Sequence, residues 1–176
     1  MPFYGSSISE LAVCLQESSS AEVEKLMQGT ISGRRVLVFN VRACSQWGEG
    51  APVTTFAAFH SSSSQLPIFQ IRAKNIIDKC CGTLVRNAGD GDIDPEFAKR
   101  IFLLCCADDA QKHEFFTRSK MLHLLQSADH FKIQSSPNWL LIFRPGEMIS
   151  AKKLRQFVHV TSMIAFGLLD PEIQPG

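Results

Sequence analysis

Residues 131–169 read FKIQSSPNWLLIFRPGEMISAKKLRQFVHVTSMIAFGLL, and this stretch decides the fold. Its first part is two short apolar runs, 131–135 and 139–144, separated by Ser136-Pro137-Asn138, residue types that favour turns. A β-hairpin follows, with Arg144-Pro145-Gly146 as its exit turn. From Ser150 the period changes. Leu154, Phe157, Val158, Thr161, Ile164, Ala165 and Leu168 recur at helical spacing, so a helix capped by Ser150 lays an apolar stripe on the sheet. A hairpin that feeds such a helix belongs to the α+β class.

Working outward, the second half reads β-α-β-β-α over 97–169. Residues 101–106 form a strand, Asp108 caps a helix, and Thr117 caps a second piece carrying Met121, Leu122, Leu124 and Leu125. Before it, 86–96 is an acidic Gly/Pro loop that joins two layers of one domain. Residues 34–85 read as a β-meander plus a short helix: strands at 35–44, 53–60 and 67–72, then a helix over 74–81. The first of these strands is apolar on both sides, with Val36 and Val38 on one and Leu37, Phe39 and Val41 on the other, so it lies inside the sheet. The segment 1–30 reads as helical, in two pieces. Ser7 and Glu10 form one capping box and Ser19 and Glu22 another; Val23, Leu26 and Met27 follow the second at helical spacing, and Gly33 marks a turn. The expectation is an antiparallel sheet of five or six strands, with N-terminal and C-terminal helices packed on one face, in a single domain spanning 1–176.

With 176 residues the chain is long enough to bury a core without metal or disulfide staples. Its 18 Lys and Arg against 17 Asp and Glu leave a net charge of +1, which supplies no global field for nucleic acid. No apolar run approaches the roughly 20 residues that span a bilayer. Met1-Pro2-Phe3-Tyr4-Gly5 lacks the basic start and apolar stretch of a secretory leader, so the expected setting is cytoplasmic. Six cysteines, Cys14, Cys44 and the adjacent pairs Cys80-Cys81 and Cys105-Cys106, then read as reduced structural residues.

The chemical motifs fail when counted. Asp90-Gly91-Asp92-Ile93-Asp94 opens like a calcium loop, but Pro95 stands where that loop needs glycine and Ile101 where it needs glutamate. A weak cation site at Asp90, Asp92 and Asp94 is the alternative to a solvated turn. His113-Glu114 lacks the second histidine of a zinc-protease helix, since Thr117 occupies its place. Neither cysteine pair has the two-residue gap of a zinc or thioredoxin-like site. There is no nucleophile elbow and no phosphate-binding glycine loop. No cofactor is implied. One charge cluster stands out: Lys152, Lys153 and Arg155 at the start of the last helix, with Arg144 across the turn, could hold an anion at the helix N-terminus. The plain alternative is a solvated basic edge.

Val36-Leu37-Val38-Phe39, Leu66-Pro67-Ile68-Phe69-Gln70-Ile71-Arg72 and Asp92-Ile93-Asp94-Pro95-Glu96-Phe97 resemble an uncharacterised bacterial family. The resemblance continues through Phe102-Leu103-Leu104, Phe115-Phe116 and 139–146, and it covers 27–169. Many members of that family carry membrane-spanning segments before a domain of this layout, which implies a membrane-proximal position. The order of elements also resembles small secretion-chaperone-like α+β domains that bind polypeptide segments. Packing and turn residues carry these likenesses, so they bear on fold rather than chemistry.

Two function classes follow. The first is a non-enzymatic binding or protein-interaction domain, with a protein partner or self-association through an exposed sheet face or groove. Trp47, Tyr4 and the polar faces of the hairpin are its candidate contacts. The second is a small enzyme whose cysteine, histidine and carboxylate groups meet only in three dimensions. The absence of any local motif favours the first.

Overall fold

The computed structural model describes residues 21–43, 52–61, 66–74, 95–105, 109–127 and 130–170. Seven strands form one sheet: β1 (Ala21–Ile31), β2 (Arg34–Ala43), β3 (Val53–His60), β4 (Phe69–Ala73), β5 (Ile101–Cys105), β6 (Lys132–Ser136) and β7 (Trp139–Phe143). Their order is β1-β2-β3-β7-β6-β4-β5, and every pair is antiparallel. Among the described residues four helices accompany them: α1 (Pro95–Arg100), α2 (Asp109–Phe115), α3 (Arg118–Ser127) and α4 (Ala151–Leu169). The α+β class and the C-terminal helix packed on the sheet are as expected.

The segment 21–31 corrects the reading. It is a strand, not a helix, and it brings the sheet to seven strands rather than five or six. Two local features explain the error. Ser32 (φ 48°) and Gly33 (φ 79°) make a two-residue turn with both central residues left-handed, which pins a tight hairpin between β1 and β2. A bulge then sets Lys25, at φ 51°, and Leu26 against one residue of β2, because the register jumps between Glu24↔Asn40 and Met27↔Val38. The extra residue shifts the alternation, so Val23 and Leu26 come three apart on the same side. That spacing imitates a helix.

The meander is also corrected. β4 does not sit beside β3; β7 and β6 insert between them. The short helix α1, with Pro95 at its first position, was not expected either, and it buries Phe97 at 1% exposure. The readings at 7–20, 47–50, 75–81 and Asp108 lie outside the described residues.

Alternation builds two apolar faces. Val36, Val38, Ala57, Phe59, Ile71, Leu103, Ile133, Leu140 and Ile142 project to the first, where Met121 and Leu124 of α3 and Phe157, Ile164 and Leu168 of α4 cover them. Leu37, Phe39, Val41, Phe56, Ala58, Trp139, Leu141 and Phe143 form a second cluster on the opposite face. There Phe39 stacks on Phe56 at 5.5 Å between ring centroids, and Phe56 meets Phe143 at 4.2 Å. The doubly apolar reading of β2 therefore holds, and the same is true of β7, whose five residues are all buried.

Side-chain hydrogen bonds hold the irregular segments to this frame. Thr55 Oγ1 donates to Asn40 Oδ1 at 2.7 Å and accepts from the Ile149 amide at 2.9 Å, while the Thr55 amide donates to the Glu147 carbonyl at 3.0 Å. Thr54 Oγ1 accepts from the Gly146 amide at 3.0 Å. The run 144–150 is thereby strapped to β3, and it delivers α4 to the sheet. At the other end of α4, Arg34 of β2 pairs with Asp170 and reaches the Leu169 carbonyl at 3.5 Å, placing a cation at the helix C-terminus. Ser135 Oγ accepts from the Phe69 amide at 2.7 Å and donates to the Pro67 carbonyl at 2.6 Å, steering the chain into β4.

Replacing Thr55 with Val keeps the shape but orphans Asn40 and the Ile149 amide, at a cost of about 1–3 kcal/mol in urea denaturation; an unchanged midpoint would refute the strap. Lys112 is 2% exposed and its Nζ has no hydrogen-bond partner among the described residues. Lys112→Met should therefore stabilise the fold by roughly 1–3 kcal/mol, since the aliphatic packing stays and the unpaired polar group goes; a lower unfolding midpoint would contradict this.

Candidate functional site

α3 and α4 lie together on the first face of the sheet, and their core contacts decide what remains outside. Met121 and Leu124 are the buried residues of α3; Phe157, Thr161, Ile164, Ala165 and Leu168 are among those of α4. Side chains opposite a buried stripe point away from the sheet. They are Arg118, Ser119, Leu122 and Gln126 on α3, and Lys152, Arg155, Gln156, His159 and Met163 on α4, all exposed. The two sets therefore share one outward surface.

The helices meet through a histidine and a glycine. His123 Nε2 lies 3.1 Å from the Met163 carbonyl oxygen. A Cβ at position 167 would stand 2.2 Å from the same nitrogen, so Gly167 is what lets the ring lie against the backbone of α4. Beside this crossing is an open depression of 610 Å³ lined by Thr117, Arg118, Ser119, Leu122, His123 and Gln126. Thr117 starts α3 as expected, accepting from the Lys120 amide at 3.4 Å through its side chain. Two large apolar side chains remain exposed here, Leu122 at 44% and Met163 at 56%.

Charge is segregated on this surface. The 10 residues of α3 and 19 of α4 contain Arg118, Lys120, Lys152, Lys153 and Arg155 but no Asp or Glu. In a chain with 18 basic and 17 acidic residues, that is a local separation of sign rather than a global excess. Lys152, Lys153 and Arg155 are exposed at the N-terminal end of α4 and make no ion pair among the described residues. Cations there oppose the helix dipole by about 0.3–1 kcal/mol each. Ser150 occupies the expected N-cap position, yet its side chain makes no capping hydrogen bond and the first turn holds no acid. Among the described residues nothing local compensates the cluster.

The structure gives Arg144 a different setting. Its Nη1 lies 3.4 Å from Glu147 Oε2, and its guanidinium sits 4.5 Å from the centroid of Phe131. Arg144 thus has an acid and a ring of its own. Sequence reasoning found the α4 cations but missed Arg118, Leu122, His123, His159 and Met163. The available signal was the lack of any acid over 118–127 and 151–169.

Asp90, Asp92 and Asp94 lie outside the described residues, as do Tyr4, Trp47 and every cysteine except Cys105. In the hairpin, Lys132 and Gln134 of β6 are half-buried, while β7 is buried throughout. His60 meets the Trp139 ring edge-on at 5.0 Å. Among the described residues no three His, Cys, Asp or Glu side chains gather so as to hold a metal ion. Lys99 titrates above the ordinary lysine range, chiefly through its hydrogen bond to Glu96 and then through that carboxylate's charge. It belongs to an exposed pair on the six-residue α1. No helix among the described residues is long and apolar enough to cross a membrane.

No family model and no curated protein matches the chain, so the resemblance to an uncharacterised bacterial family rests on the quoted residues alone. Among solved structures the chain is similar to the crystal structure of the mycobacterial trehalose monomycolate transport factor A, TtfA. Identity is 17% and the TM-score 0.53, over 91% of this chain and 81% of that one. At that identity the likeness shows the fold alone.

Proposed function

We propose that this chain is a non-enzymatic protein-interaction domain that docks its partner on the outward surface of α3 and α4. One observation carries the reading: Leu122 and Met163 stand exposed on two helices that contain no acid, next to a depression whose lining offers no nucleophile–base pair with an orienting acid. Large apolar side chains set among charges are what a docking surface presents, the apolar part supplying affinity and the charged part orientation. Met163 suits this role, since an unbranched thioether adapts to the shape of whatever covers it. The mycobacterial protein of similar fold is a transport factor for trehalose monomycolate. A transport role would also be a binding role, but the likeness brings only the fold.

The test is selective capture. Immobilised wild-type protein should retain a polypeptide from its native cell lysate that a folded Leu122→Asp/Met163→Asp variant retains at least tenfold less. Equal retention by both proteins would remove the surface from the function.

A further inference from the structure

We infer that the segment received on this surface is acidic and short, with one apolar anchor residue seated beside Leu122 and His123. Its flanking carboxylates would lie on Arg118 and on the cations of α4. This rests on the docking reading above and adds the chemistry of the partner.

Charge complementarity is the first argument. Arg118, Lys152, Lys153 and Arg155 have no ionic partner among the described residues, and neither helix supplies an acid. Lys152 and Arg155 are like charges one turn apart, and with Lys153 they oppose the dipole of their own helix. An incoming carboxylate relieves both repulsions at once. Steered encounter and register come from the same field.

Shape gives the second argument. A shallow, open depression lies along Leu122 and His123, with room for one side chain beside them. A flat anionic lipid surface offers the cations charge but no such side chain. A protein segment offers both.

Length gives the third. Exposed Lys152, Arg155, His159 and Met163 follow one another at three- or four-residue spacing along α4. The eleven helical steps from Lys152 to Met163 rise roughly 16 Å. An extended chain covers that distance in about five residues, so the matching motif is a few carboxylates around one apolar position.

The test uses the full chain and defined probes. A fluorescein-labelled peptide with one Leu flanked by Glu is compared with the same peptide carrying Gln for Leu, and with one carrying Lys for every Glu. Vesicles of 30:70 phosphatidylglycerol and phosphatidylcholine serve as the lipid probe. Wild type, Arg118→Glu/Arg155→Glu and Leu122→Asn are measured by anisotropy, with circular dichroism showing that each is folded. The Glu–Leu peptide should bind wild type and lose at least tenfold in affinity to each variant. Loss of the Leu should weaken it similarly, the Lys peptide should not bind, and higher salt should weaken the complex. Affinity unaffected by charge reversal overturns the inference. Binding to vesicles but not to the peptide overturns it in favour of a lipid surface. Failure of every probe overturns it too; if lysate capture still depends on Leu122 and Met163, the docking function survives and only the acidic chemistry falls.

Discussion

The pairing of β3 with β7 is the constraint on which the rest of the molecule depends. Five residue pairs, from Phe56↔Phe143 to His60↔Trp139, join the β1-β2-β3 half of the sheet to the β7-β6-β4-β5 half. Because side chains alternate, a slip of one residue at this seam would send Ala57 and Phe59 to the wrong side of the sheet, and with them the floor on which α4 rests. The register is protected from both faces. Phe56 and Phe143 touch on one, while Phe59 meets Phe166 of α4 at 6.3 Å on the other.

The seam also connects fold to surface. β3 carries Thr54 and Thr55, which hold the run leading into α4, and β2 carries Arg34, which holds the helix at its far end. α4 is thus fixed at both termini by neighbouring strands and along its length by the core. α3 is then positioned against it by the Gly167–His123 contact. The basic, partly apolar outer layer stands on a rigid base, which lowers the ordering cost of any association there.

Legibility in the sequence followed the range of the interactions. The hairpin and the last helix were readable from local signals, two apolar runs across a Ser-Pro-Asn turn and then an apolar stripe at helical spacing; Ser150 even marked the first helical residue, Ala151. β1 was not readable as a strand, since the bulge at Lys25 put Val23 and Leu26 at a helix-like interval. The place of β4 was hidden for a different reason. Which strand pairs with which is settled by contacts far apart in the chain, and no local pattern encodes it. The candidate surface divides in the same way. Lys152, Lys153 and Arg155 announced themselves as a run, whereas Arg118, Leu122 and His123 joined them only because a glycine lets α3 approach α4.

The bulge in β1 has a consequence beyond its register. Among the described residues β1 is the outermost strand of its side of the sheet, and it is 11 residues long. A long, flat rim of unpaired amides and carbonyls is a template for fibril growth and runaway polymerisation. The left-handed kink at Lys25 interrupts that template near its middle and sets a charged, exposed residue there. The irregularity that disguised the strand also guards the sheet against aggregation.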